Sequence, residues 1–329
     1  MSEPLPVLIT LGDAAGIGPE IIAKSWGLGP AVVVGDAAVM RRALAQCGLQ
    51  RPVAVLSRPD EPVPAGAMAV WEPPGLPMGL VDCVQGRVDA RCGQAAARCI
   101  EGAVAQLQAG CGAALLTAPL HKEALHAAGS PYPGHTEMLQ ALAGGLPVRM
   151  MLANDVLCVV LVTVHVALRE AIEQIDQANV LDTIRMTHAA LVRSGLAAPR
   201  VAVAGLNPHA GEGGLFGREE IEHIAPAVQA ARELGLDAQG PFAPDTVFMR
   251  ARQGAFDAVV AMTHDHGLIP VKYMGLDEGV NVTLGLPFVR TSPDHGTAFD
   301  IAGTGRADPK SFQAAWRLAQ RLAGNRAAN

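Results

Sequence analysis

Short apolar runs, each bounded by glycine, proline or charged residues, recur along this chain and alternate with segments of helical periodicity. Val7-Leu8-Ile9-Thr10-Leu11 predicts a buried strand, closed by Gly12-Asp13-Ala14-Ala15-Gly16-Ile17-Gly18. Pro19-Glu20-Ile21-Ile22-Ala23 follows, and a proline in a first turn opens a helix. A second strand is expected over 31–35, a helix over 37–46, one strand at 67–71 inside a Pro/Gly-rich connection, an Ala-rich helix over 91–109 and a strand over 113–117. Further helices are expected to open near 117–123 and 132–139, from 218–220 to about 234, and after Pro309. In the last of these Phe312, Ala315, Trp316 and Leu318 make a core stripe. Strands alternating with helices predict an α/β protein.

Three apolar runs lead to a histidine: 156–164 to His165, 200–208 to His209 and 256–263 to His264. One such histidine is commonly an ordinary hydrogen-bonded residue. Three at equivalent strand ends also make a divalent-metal site with open positions for substrate oxygens, and nitrogen ligands suit Zn²⁺ best, with Mn²⁺, Co²⁺ or Mg²⁺ as alternatives. The carboxyl ends of strands are where open α/β sheets bind ligands. From Met262 to Gly305 the chain gathers His264, Asp265, Lys272, Asn281, Arg290 and the loop His295-Gly296-Thr297-Ala298-Phe299-Asp300-Ile301-Ala302-Gly303. The small residues and backbone N–H groups of that loop let a flat polar cofactor approach the main chain, although its spacing is not the Rossmann fingerprint. His135 and Thr136 fall at a helix start, a natural anion site. The 12–18 loop is read as a structural tight turn or a phosphate cradle, and His121 and Lys122 as a solvated first turn or a substrate contact.

Length and charge narrow the class. The 329 residues suffice for a large core, and two lobes around a cleft, with the N- and C-terminal segments in one and about 130–270 largely in the other, is the simplest layout. No apolar run reaches the roughly 18 residues of a membrane span, and the sequence shows no export signal, so a cytoplasmic protein is expected. The net charge of −6, with acids and bases interspersed, argues against nucleic acid as a partner. Six cysteines without a C-x-x-C pair read as reduced, mostly buried thiols.

The segments Gly12–Glu20, Pro133–Glu137, Leu206-Asn207-Pro208-His209-Ala210-Gly211-Glu212 and Met262–Gly305 together resemble the 4-hydroxythreonine-4-phosphate dehydrogenase family of vitamin B6 biosynthesis. The resemblance implies a two-lobed, three-layer α/β/α fold of the isocitrate/isopropylmalate dehydrogenase-like type, and a homodimer with shared active sites. It implies NAD as cofactor (NADP being the alternative) and a small anionic hydroxy acid as substrate. Carried over residue by residue, it makes His165, His209 and His264 metal ligands, the third reaching in from the other subunit. His135, Thr136, Lys272, Asn281 and Arg290 become substrate-binding, and His295, Gly296, Thr297, Ala298 and Gly303 cofactor-binding. Lys272, Asp265 and Asp245 become the catalytic candidates, although a surface lysine and a helix cap would look the same as Lys272 and Asp245. The implied reaction is NAD-dependent, metal-assisted oxidation of 4-(phosphooxy)-L-threonine to a 3-keto acid that loses CO₂.

Two departures bear on the substrate: Thr263 and His266 stand where the family usually has Tyr and Gln around His264-Asp265. Ala14 replaces a usual proline. Related dehydrogenases acting on 4-phospho-D-threonate, 4-phospho-D-erythronate or a terephthalate cis-dihydrodiol are therefore the alternatives. A phosphotransacetylase-like acyltransferase and a non-catalytic metal- or nucleotide-binding protein are the alternatives from other classes.

Overall fold

The computed structural model describes residues 4–274 and 279–324; Met1–Glu3, where the sequence was read for an export signal, lie outside them. The chain divides into two compact units, residues up to Pro147 with Leu286–Gly324, and Val148–Gly285. The first opens with β1 (Val7–Thr10), α1 (Gly18–Ser25), β2 (Ala31–Val34), α2 (Ala37–Gln46), β3 (Val53–Leu56), β4 (Met68–Trp71), α3 (Ala90–Gln108), β5 (Ala114–Thr117), α4 (Lys122–Ala127) and α5 (His135–Leu142). The second holds β6 (Arg149–Ala153), β7 (Cys158–Leu161), α6 (Leu168–Glu173), α7 (Gln177–Arg193), β8 (Arg200–Ala204), α8 (Ala225–Glu233), β9 (Asp237–Phe242), α9 (Pro244–Arg252), β10 (Ala258–Ala261), α10 (His264–Tyr273) and β11 (Val280–Leu284). The chain then returns to the first unit with β12 (Arg290–Pro293) and α11 (Lys310–Gly324).

In the first unit the strands run in the order β3-β4-β2-β1-β5-β12, every pair parallel. Parallel strands joined by helices are covered on both faces, so they read as continuous apolar runs, and Val7–Thr10, Ala31–Val34 and Ala114–Thr117 are buried at every position. Their carboxyl ends run into the 12–18 loop and the 118–121 segment. There Gly12 turns with φ +72° and a Cβ would meet the Pro119 carbonyl, so only glycine fits. That favours the tight-turn reading of the loop. Asp13 continues the turn, its buried carboxylate accepting from the Ala15 amide at 2.8 Å.

The second unit mixes directions. Its order is β11-β6-β7-β10-β8-β9, with β6 antiparallel to both β11 and β7 and the remainder parallel. Alternate residues of its central strands serve two cores. Val201, Val203, Ala258 and Val260 pack with Ile184 of α7 and Val228 of α8, while Ala202, Ala204, Val259 and Ala261 pack with Phe248 of α9 and Leu268 of α10.

The predicted strands before the three histidines are longer than the observed ones. β7, β8 and β10 end at Leu161, Ala204 and Ala261, so His165, His209 and His264 follow them by four, five and three residues. The apolar character continues past each strand because those turns are themselves packed: Thr163 and Met262 are buried, and the Thr163 hydroxyl donates to the Met262 carbonyl at 2.8 Å. The helix expected from 218–220 begins as a π turn at Glu220–Ile224 before α8.

Candidate active site

In the first unit, parallel pairing sets the first residue of β12, Arg290, beside β5 in register with Leu115. Its side chain is 3% exposed and its Nη2 donates to the Thr117 hydroxyl at 2.7 Å. Burial pulls its pKa down to about 10, which leaves the guanidinium charged at neutral pH. His135 opens α5 within electrostatic reach of Arg290 and of Lys122, the first residue of α4. Its Nε2 is enclosed without a hydrogen-bond partner. Desolvation first, then the Arg290 charge, hold the His135 pKa well below the ordinary histidine value, against a hydrogen bond to the Ala118 backbone; Lys122 adds to the depression. Thr136 follows His135 and is exposed. A buried cation, an exposed cation and a neutral imidazole beside the start of an eight-residue helix suit an anion.

The loop after β12 belongs to the same unit. Thr297 is buried and its carbonyl accepts from the Ile17 amide at 3.0 Å. Ala298 has φ +42°, where a non-glycine residue is uncommon, and its carbonyl accepts from Ile301 at 3.1 Å. His295 bonds through Nδ1 to the Gly296 carbonyl at 3.0 Å while its Nε2 is enclosed and unpartnered. A Cβ built on Gly296 would meet nothing within 4 Å. An orphaned ring nitrogen beside open space at a glycine fits a polar ligand laid along this backbone, as a dinucleotide would be. Phe299 stacks on His121 with centroids 4.5 Å apart and planes 14° apart, which gives His121 a packing role that its sequence context left open.

In the second unit, β7 and β10 pair in parallel with Leu161 opposite Ala261, and the Val162 amide extends the ladder to the Ala261 carbonyl. The two strands thus deliver His165 and His264 together, ring centroids 5.5 Å apart. His264 begins α10 and its Nδ1 lies 2.8 Å from Asp265 Oδ1, the kind of carboxylate contact that fixes a ligating imidazole's orientation.

His209 sits in a run of five residues, His209–Gly213, all with positive φ, including the non-glycine residues His209 (55°), Ala210 (53°) and Glu212 (44°). Such backbone costs about 1–3 kcal/mol per non-glycine residue and persists only where the surroundings impose it. Glu220 anchors the chain that leads into the run: its buried carboxylate accepts from the Leu206 and Asn207 amides at 2.7 Å each and from the Asn207 side chain at 2.9 Å. Sequence reasoning read Glu220 only as a helix start. A paired Glu-Glu at the foot of a glycine-rich loop was the available signal.

Two imidazoles therefore come together within one chain. Among the described residues no three His, Cys, Asp or Glu side chains converge to hold one, so His209 does not complete the set here. Lys272 is half-buried in the last turn of α10, eight residues and therefore about 12 Å along the axis from His264. Asn281 is half-buried on β11 opposite Leu152, and Asp245 is exposed in the first turn of α9.

The family described as "Pyridoxal phosphate biosynthetic protein PdxA" matches the chain over residues 28–319. The chain belongs to the PdxA family. It is 52% identical to a 4-hydroxythreonine-4-phosphate dehydrogenase of Beijerinckia indica, over 96% of this chain and 95% of that protein. It is 47% identical to a D-threonate 4-phosphate dehydrogenase of Pectobacterium atrosepticum, over 96% and 99%. The structure of a 4-hydroxythreonine-4-phosphate dehydrogenase from Klebsiella pneumoniae superimposes with a TM-score of 0.88 at 46% identity, covering 98% of this chain and 99% of that one. The chain is accordingly a PdxA-type dehydrogenase, an oxidoreductase of mixed α/β fold, and no helix among its described residues is long and apolar enough to cross a membrane.

Proposed function

We propose that this PdxA-family chain oxidises the secondary alcohol of 4-(phosphooxy)-L-threonine with NAD⁺ and a divalent metal, zinc by ligand chemistry, giving a 3-keto acid that loses CO₂. The observation that carries the reading is the cation set of the first unit, buried Arg290 with His135 and Lys122, in a chain whose 52% and 47% relatives are both named for 4-phosphate substrates. Arg290 and the α5 start, His135 and Thr136, take the phosphate, and Lys122 adds charge at its exposed side. Asn281 and Lys272 orient the carbon chain. Lys272 is the candidate to accept the hydroxyl proton and return one to the enol carbon, with the Asp265 and Asp245 carboxylates setting the local charge.

His165, His209 and His264 would hold the metal, and His295, Gly296, Thr297, Ala298 and Gly303 the dinucleotide. When bound, the dinucleotide would supply a hydride acceptor and the metal a Lewis acid that would lower the hydroxyl pKa and offset the negative charge left as CO₂ departs. A second copy of the chain, from which the resemblance brings in His264, is proposed to complete the set. Exposed apolar side chains beside the histidines support this: Ile269 (64%) and Tyr273 (92%) on α10, and Leu215 (73%) after the His209 loop.

D-threonate 4-phosphate is the second reading, favoured by the 47% relative and by Thr263 and His266. Metal-replete protein incubated with NAD⁺ and each phosphate in turn, followed by NADH absorbance, decides between them. Turnover of 4-(phosphooxy)-L-threonine alone is expected, turnover of D-threonate 4-phosphate alone would establish the second reading, and silence with both would refute the two.

A further inference from the structure

Helix α1 grips the glycine-rich loop at three places. The Ile17 amide, at its start, donates to the Thr297 carbonyl at 3.0 Å. One turn in, Glu20 accepts through Oε1 from the Gly303 amide at 2.5 Å. A further turn on, Lys24 donates through Nζ to the Gly305 carbonyl at 2.6 Å and the Ala307 carbonyl at 2.7 Å. Glu20 and Lys24 are four residues apart and share one helix face, and each meets a backbone group of the complementary kind.

The fold alone does not account for Glu20. Its side chain is 0% exposed, and its second oxygen, Oε2, is enclosed without a hydrogen-bond partner. A carboxylate buried with one oxygen unmet weakens a fold unless it does something else. What it holds is an amide of the loop, at the residue that ends the cofactor-binding candidates, while Thr297, the third of them, is held by the Ile17 amide.

We propose that Glu20 and Lys24 are positioning residues for the dinucleotide. Together with the Ile17 amide they fix residues 297–307 in the shape that accepts it, and act through the loop rather than by contact. The segment between the held points, Ala298 to Ala302, closes on itself through the Ile301-to-Ala298 hydrogen bond, so that fixing the two ends fixes what it presents. The inference rests on the reading of this loop as the cofactor site, and predicts that the two side chains govern dinucleotide affinity and leave the chemical step alone.

The test uses the full chain, metal-replete, as wild type, Lys24→Met, Lys24→Arg, Glu20→Gln and Glu20→Ala. NADH binding is followed by fluorescence, steady-state kinetics by varying NAD⁺, and loop order by amide hydrogen exchange over 297–305. Lys24→Met is expected to raise the NADH Kd and the KM for NAD⁺ about tenfold, with kcat within about twofold and faster exchange of the loop amides. Lys24→Arg should restore affinity, since it keeps a cationic donor. Glu20→Gln, which keeps an acceptor for Gly303, should fall between wild type and Glu20→Ala. Because Lys24 is only half-buried, its variants keep the test sound if Glu20→Ala does not fold. Unchanged NADH affinity in Lys24→Met, or a loss confined to kcat, overturns the inference. Wild type that fails to bind NADH overturns the cofactor reading instead, and the two failures are told apart because the loop amides would still respond to Lys24→Met.

Discussion

His165 and His264 meet with ring centroids 5.5 Å apart and planes tilted by 48°, although 99 positions separate them in sequence. The cause is register. β7 and β10 are parallel neighbours ending at paired residues, Leu161 and Ala261, and the chain past each strand is held by the Val162 and Thr163 amides donating to the Ala261 and Met262 carbonyls. Histidines four and three residues beyond paired strand ends then converge, and the Asp265 carboxylate at 2.8 Å orients one of them.

Asp265→Asn tests whether that orientation serves a metal. The amide keeps the shape and removes the charge behind the imidazole, so affinity for Zn²⁺ or Co²⁺ is expected to fall about 10- to 100-fold. A chelator-competition titration measures it, and equal affinity in the variant would remove Asp265 from the site.

Lys272→Met separates an acid/base role from a surface one. If Lys272 handles the substrate proton, kcat drops by about 10²- to 10⁴-fold, the KM for NAD⁺ holds, and one limb of the pH–rate profile disappears. Near-normal turnover would make Lys272 an ordinary helix residue.

The parallel half of this fold was legible in the sequence because its strands are covered on both faces: 31–35 and 113–117 read correctly as unbroken apolar runs. β6, β11 and β12 were not assigned residue by residue, since Arg149 and Arg290 open β6 and β12 with a charge and Asn281 interrupts β11. Arg290 is nonetheless among the most buried polar side chains, because the Thr117 hydroxyl answers it. Of the three histidines the sequence grouped at strand ends, the structure brings His165 and His264 together, while His209 stands apart from them among the described residues. The left-handed backbone around His209 was not legible, because Ala210 and Glu212 are residues that rarely adopt it; the buried Glu220 anchors the residues just before that run.

Lys122 should discriminate by phosphate. It is exposed, so its contribution is that of a solvated charge, and Lys122→Met is expected to raise the KM for a phosphorylated substrate about fivefold while leaving the KM for the unphosphorylated alcohol unchanged. Lys122→Arg should behave as wild type. Equal effects on both substrates would exclude a phosphate role.

The depressed pKa of His135 carries a stability consequence with a definite sign. The unfolded chain takes up a proton near pH 6.5, whereas the folded one resists it because the ring is desolvated beside Arg290. The unfolded state therefore binds more protons below about pH 6.5, and the neutral ring's contribution, complete above that pH, is lost as the pH falls through and below it. Urea midpoints from pH 7.5 down to 5 should fall more steeply for wild type than for His135→Asn. Inorganic phosphate should flatten the wild-type curve, since an anion beside the ring favours its protonated form. Parallel curves would show that His135 titrates alike in both states.

His266 is where the substrate question becomes a measurement. It is half-buried on the first turn of α10, its Nδ1 is enclosed without a partner, and burial lowers its pKa against the pull of Asp265. A neutral imidazole with an unanswered nitrogen is a selective group. It rewards a ligand atom that completes the hydrogen bond and penalises one that cannot, and such unmet polar groups discriminate more sharply than added methylenes do. The glutamine usual at this position would offer an amide donor and acceptor instead of a ring. His266→Gln is therefore expected to change the ratio of kcat/KM for 4-(phosphooxy)-L-threonine over D-threonate 4-phosphate by about tenfold or more, with metal affinity held. A ratio that stays fixed while both rates fall would assign His266 to packing of α10 and move the search for specificity to Thr263.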